Sequence, residues 1–400
     1  MNRLLESVRI FWIRARLDAP PFVQRVIVPR LQEAKEIVRL LVRPYLPVYQ
    51  LLGQGQGGPL SVTYVGLDYA KPFLKSLLFV EDAVEHRVGQ IPFWRCDELA
   101  NLSSGDIIIV EAAKHLIRRL PCQNAIVLPQ YVHHILDVRG DWQAVRSRFH
   151  KSVRTNELRW MRKYGYEYDV GHDRQDFETF YHHMYLPTMN LRHGDLSMPM
   201  SLQEADQYFR CGWLFRVTRD GDWVSGVVCH PQNDVLMWDI TGVKNADEQL
   251  MTEGAAAATY YAAVHWANQQ GYNAVNFLGS LPCLSSGLFH HKRRWGGAIS
   301  IPPHLHRQVW IKVRRNTPAV SQFLKDHPFV VVDKDGKLHG LVVVDDPHNV
   351  SAETRKEWEK NYVTPGLSSL LIRPVSCFTE EPAHDKDSGL VIPITHWLQR

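Results

Sequence analysis

From Gly254 to Ala267 the chain reads GAAAATYYAAVHWA, a helical stretch with apolar residues on nearly every side. Such a helix offers water no face, so other elements have to enclose it. Thr252 is its expected N-cap and Gly271 its expected stop. Before it an antiparallel meander is expected: Trp213 to Arg219, a tight Asp220-Gly221 turn, Asp222 to His230, a PQND turn, then Val235 to Val243. After it AVNFLG, Ala274 to Gly279, reads as a further strand, and the basic stretch FHHKRRWGGAIS follows from Phe289.

Upstream, a long helix is expected from Asp141 to Gly165, burying Val145, Phe149, Val153, Asn156, Trp160 and Tyr164, with Arg148, Lys151, Arg159 and Arg162 on another side. A second runs from Asp176 to Asn190. Residues 1–50 predict two helical pieces parted by Pro20 and Pro21, the second with an apolar stripe at Leu31, Ala34, Val38, Leu41 and Tyr45. GQGQGGP, Gly53 to Pro59, reads as a linker; no strand precedes it and no Lys-Ser/Thr follows, as a nucleotide loop requires. The runs VTYVGL, DIIIVEA and NAIVLP between residues 60 and 140 predict a small α/β unit. The tail predicts a hairpin, FVVVDKDGKLHGLVVVDD, and a helix from about Ser351. The domains expected are therefore 1–58 (basic helices and linker), 59–140 (small α/β unit), 141–313 (the lobe around the buried helix) and 314–400 (hairpin and helix).

A net charge of +4 is too small for wholesale nucleic-acid binding, and no DNA partner is expected. Residues 1–43 hold nine Lys or Arg against four acids, so this segment could rest on an anionic membrane; packing on the core is the expectation for its second helix. Six cysteines without a CxxC pair point to a reducing compartment. No apolar run reaches ~18 residues, so neither a signal peptide nor a spanning helix is expected, and the location expected is cytoplasmic or membrane-peripheral.

The stretches KSVRTNELRWMRKYGYEYDV, EGAAAATYYAAVHWANQQGYNAVNFLG and GLFHHKRRWGG, in this order within residues 141–313, make the chain resemble the Fem-type branch of the GNAT superfamily. The resemblance implies an α/β fold with a mixed, mainly antiparallel sheet flanked by helices. To this the chain would add a helical N-terminal segment, a small α/β unit standing as a degenerate first lobe, and the C-terminal extension. It implies transfer of an acyl or aminoacyl group from a thioester or ester donor to an amine, as in cell-envelope or polysaccharide metabolism. Lys292 is the counterpart of the family lysine placed at the reacting carbonyl, although His290 and His291 separate it from Phe289. A fixed cation there stabilises the tetrahedral oxyanion by about 3–4 kcal/mol. Arg154 and Asn156 are carried over as residues orienting the acceptor, with Arg159, His291 and Trp295 on the same substrate side.

Asp239, in VLMWDITGV, and His193, in LRHGDL, are the candidate general bases. Lys244, Gln249, Thr252 and Gly254 are the candidate donor site at the start of the buried helix, with Thr252 where the acyl-CoA motif has its first Gly. Acyl-CoA is the expected co-substrate, with an acyl-carrier protein or aminoacyl-tRNA as alternatives; no tightly bound cofactor and no metal is expected. The acceptor would be a small or lipid-linked amine.

Three other readings stand beside this one. Lys292, Arg293 and Arg294 could form a solvated basic loop. The fold could be a non-catalytic descendant that binds a phosphorylated ligand, lipid head group or partner. Cys283 or Ser285 with His290 could serve a hydrolase, but no GxSxG frames them; His304 and His306 lack an HExxH-type spacing for metal.

Overall fold

The computed structural model describes residues 2–42, 44–95, 98, 105–121, 123–193, 199–378 and 389–393. The chain divides into two compact units that each draw on distant segments. The first is residues 1–28, 133–279 and 291–298; the second is 29–132, 280–290 and 299–400. This differs from the four consecutive domains expected, because sheet neighbours come from far apart in sequence. The strand Arg307–Val313 lies between Ile107–Ala113 and Ala125–Pro129 in the second unit, while Val132–Asp137 joins the sheet of the first.

The sheet of the first unit has the strand order Ala298–Ser300, Val132–Asp137, Ala274–Ser280, Val235–Val243, Asp222–Gln232, Trp213–Arg219, Tyr166–Gly171. The meander appears where its alternation and Asp220-Gly221 turn put it, and Tyr166–Gly171 adds a strand to it. The helix Ala255–Gln269 is buried against this sheet, with Ala255, Ala262, Ala263, Val264 and Ala267 sealed from water among Phe215, Leu236, Val275 and Phe277. This is the mixed, mainly antiparallel, helix-flanked sheet that the resemblance implies.

Helix boundaries differ where side chains compete for backbone groups. Asp247, rather than Thr252, caps a short helix Glu248–Thr252; Gly254, at φ 98°, then opens Ala255–Gln269. The long helix from Asp141 is broken. Asp141 caps Trp142–Ser147, and after the break the His150 imidazole takes the Ser152 amide before the chain winds through Val153–Glu157 into Leu158–Lys163.

The second unit has one sheet in the order Val84–Pro92, Tyr45–Gly55, Gly58–Gly66, Ile107–Ala113, Arg307–Val313, Ala125–Pro129, and a four-stranded sheet Phe329–Val332, Leu338–Val344, Ser369–Pro374, Leu390–Pro393. The expected linker is a hairpin tip. Gly53 pairs with Leu60 and Gly55 with Gly58, and positive φ at Gly57 and Gly58 makes the turn. The tail hairpin and the Ser351-capped helix Ala352–Tyr362 are as expected. No helix among the described residues is long and apolar enough to cross a membrane.

Candidate active site

The site is built where two neighbouring parallel strands of the first unit part. Val235–Val243 and Ala274–Ser280 pair only over Val235–Met237 and Ala274–Asn276. Beyond that the second strand turns out of the ladder: Leu278 adopts φ 57°, and its amide donates to the Asn276 side chain at 2.9 Å. A branched-chain residue in this left-handed region is strained, and such strain tends to be kept where a site requires it. The parting exposes the Gly279 carbonyl to a side-chain donor, and that donor is Lys292, whose Nζ reaches it at 2.7 Å.

Lys292 lies on the helix Gly287–Arg294 and is only 6% exposed. Its cluster is therefore not a solvated loop. Burial pulls the Lys292 ammonium from 10.5 down to about 7. Burial, reinforced by the charges of Lys292 and His133, takes His134 to about 3, so His134 is neutral beside the lysine. Burial and then Arg294 lower Arg293 to about 10. A cation this poorly solvated is stabilised by any negative charge that develops beside it.

The remaining cation of the run fixes the helix. Arg294 pairs with the buried Glu157 and donates to Ser152 Oγ at 3.1 Å, while its carbonyl accepts from the His150 amide at 2.8 Å. Burial raises the Glu157 carboxyl, and Arg294 opposes that rise. Glu157 ends the turn Val153–Glu157 that carries Arg154 and Asn156, both exposed. One ion pair thus ties the lysine helix to the turn of the two predicted acceptor residues. Arg159 is exposed on the next helix, Leu158–Lys163.

Trp295 has no surface to offer a substrate. It is fully buried between Phe149 and Tyr260, at ring separations of 5.2 and 5.4 Å, and packs the core. His291 stands edge-on to Tyr260 at 4.7 Å. Gly296, at φ 82°, lets the chain pass Arg148, whose carbonyl oxygen a Cβ would meet at 2.7 Å; the glycines after Trp295 serve this packing turn.

Of the two candidate bases, Asp239 is held by a histidine on the neighbouring strand. Asp239 sits at a bulge between Trp238 and Ile240, its side chain 3% exposed, with Oδ2 2.7 Å from His230 Nδ1. Burial raises its carboxyl, and the nearby His230 opposes this. Trp238 packs on Tyr260 beneath the lysine helix, whereas the bulged Asp239 meets His230 and lies near Tyr208 and Arg16. His193 ends the helix Leu186–His193, and its side chain is outside the described residues.

The predicted donor residues are largely engaged. Thr252 Oγ1 donates to the Glu248 carbonyl at 2.8 Å, and Gln249 donates to Glu253 at 3.0 Å. Glu253 also pairs with Arg219. The Trp160 ring covers Gly254, where a Cβ would lie 2.6 Å from it. Lys244 lines a cavity of about 300 Å³ with Arg219, and three carboxylates, Asp220, Asp222 and Asp247, share that wall. Acids in this proportion oppose a pyrophosphate.

A wider groove of about 1380 Å³ lies in the second unit, lined by Arg118, Gln308, Lys334, His339 and Arg373 among others; none of the residues predicted for transfer lines it. There too Cys283 is buried, and burial pushes its thiol up, away from the thiolate a hydrolase would need. His304 lies 2.9 Å from the Tyr131 hydroxyl, and His306 bonds the Pro29 carbonyl at 3.1 Å.

No family model and no curated protein matches the chain. Among solved structures, that of L-PGS from Bacillus licheniformis aligns over 66% of this chain and 83% of its own, at 11% identity and a TM-score of 0.34. A GCN5-related N-acetyltransferase from Sphaerobacter thermophilus aligns over 52% of this chain and 59% of its own, at 12% identity and a TM-score of 0.29. FemX aligns over 68% of this chain and 89% of its own, at 12% identity and a TM-score of 0.36.

Proposed function

We propose that the first unit transfers an acyl or aminoacyl group to an amine, with the reacting carbonyl at the strand fork. One observation carries this: a nearly fully buried lysine whose ammonium donates to a main-chain carbonyl that strand separation has bared. A structural lysine gains little from such a place, because the desolvation of its charge opposes folding. As an amine attacks the donor carbonyl, the C–N bond forms and the oxygen becomes an oxyanion. Lys292 then donates to that oxygen, and the intermediate collapses as the C–O or C–S bond to the donor breaks, the surplus proton of the attacking nitrogen passing to the departing oxygen or sulfur. Arg154 and Asn156, held by the Glu157–Arg294 pair, would orient the acceptor.

Within this reading Asp239 is left out of proton removal, since its carboxyl is buried against His230. The amine, a small molecule or a lipid-linked group, would enter neutral. The covered start of the Ala255–Gln269 helix favours an aminoacyl-tRNA or a carrier-protein thioester over acyl-CoA as donor.

The test offers purified protein radiolabelled aminoacyl-tRNA, acyl-carrier thioester and acetyl-CoA, each with a panel of amines, and follows donor loss and product formation. Lys292→Ala should lower transfer about 100- to 1000-fold. Full retention would remove Lys292 from the mechanism. The acid-rich wall beside Lys244 favours a second reading, a binding protein on the same fold. It predicts a ligand-dependent rise in melting temperature with no donor consumed by the wild type.

A further inference from the structure

The helix Val28–Val42 is amphipathic, but it meets its own unit with polar residues and Leu40. Glu36 receives a forked pair of bonds from Arg307 at 2.7 to 3.0 Å, the Pro29 carbonyl bonds His306 at 3.1 Å, and the Gln32 amide oxygen is buried. The apolar stripe expected to pack inward points to solvent instead: Val38 is 56% exposed, Leu41 67% and Val42 72%, and the helix has no buried residue. At 3.6 residues per turn, Leu31, Ala34, Val38, Leu41 and Val42 fall within an arc of about 100°. Arg30 and Lys35, both exposed, fall just outside that arc on its two sides. Three residues past the helix, Tyr45 and Trp94 form an exposed aromatic pair with ring centroids 6.2 Å apart.

We propose that this face docks on an anionic lipid surface. Aliphatic side chains would enter the acyl boundary, the two cations would reach the head groups from both margins, and the Tyr45–Trp94 pair would sit at the polar–apolar interface. The charge arrangement selects this occupant over a second copy of the chain, since an antiparallel self-contact centred on the helix would set Lys35, at its midpoint, against its own copy. The inference does not depend on the transfer reading.

Flotation with phosphatidylcholine vesicles, alone or with about one-third phosphatidylglycerol, tests it directly. The full chain should float with the anionic vesicles, far less with the zwitterionic ones, and less as salt rises. Val38→Asp/Leu41→Asp and, separately, Arg30→Glu/Lys35→Glu should each weaken partition by roughly tenfold or more. Val391→Asp, an exposed position on another strand, should not. Melting curves matching wild type show that the variants fold. Unchanged flotation of both double variants would overturn the proposal. So would a wild type that ignores vesicles and doubles its mass in light scattering as concentration rises.

Discussion

Two helices of this protein break the same rule in opposite directions. Gly287–Arg294 takes Lys292 and Arg293 out of water, whereas Val28–Val42 turns Val38, Leu41 and Val42 into it. In an ordinary domain both arrangements cost stability. The contrast teaches that the two costs answer to different partners. On the two proposals made above, the desolvated cation would serve charge that develops during a reaction, and the uncovered aliphatic stripe would serve a surface. Departures from local patterning are expected where function resides.

The comparison is best broken by substitutions that treat the two helices alike. Trp295→Ala, just past the lysine helix, removes a fully buried ring and should cost about 3–5 kcal/mol in urea unfolding. A loss under 1 kcal/mol would mean that the lysine helix is not anchored by its core.

The pH dependence of stability sharpens the account of the buried charge. The folded lysine gives up its proton near 7 while the unfolded one holds it to 10.5, so between these values the unfolded chain binds more protons. Stability should therefore rise with pH through this window by up to ~1.4 kcal/mol per unit, and below it the cost of burying the charge is fully present. Lys292→Met should lack that rise, and parallel wild-type and variant curves from pH 6 to 10 would show that the ammonium is solvated. The smallest effect belongs to the other helix. Leu41→Ser should leave stability unchanged within ~0.5 kcal/mol, and a larger loss would mean that its stripe already packs on protein.

Much of the lobe around the buried helix was legible because its signals are local. Alternation and the Asp220-Gly221 pair fixed two strand ends, and the all-apolar run from Gly254 required enclosure. Tyr166–Gly171 was readable too, since Tyr166, Tyr168 and Val170 alternate with Glu167 and Asp169, but it was left unassigned between the two expected helices. Sheet membership was not legible. Nothing in RQVWIKV says that it pairs with DIIIVEA some two hundred residues earlier, so the boundary at 313 fell on the wrong side of a strand.

At the site, the sequence led to Lys292 only through the family pattern, and its burial could not be foreseen from a run of three cations. Asp239 keeps the expected alternation opposite Leu236, Trp238 and Ile240, but its bond to His230 across the neighbouring strand had no local signal. The stripe at Leu31 was read correctly as a stripe; its direction depends on Arg307, far away in the chain, holding Glu36 from the other side.

The interleaving of the two units bears on how such a gene can vary. Neither unit corresponds to one continuous stretch of coding sequence, because the chain alternates between them through residues 28, 132, 279, 290 and 298. Recombination that imported a foreign block at any one junction would graft an incomplete fold onto its host. New specificities in this architecture would have to arise by point changes in place, with both halves inherited together.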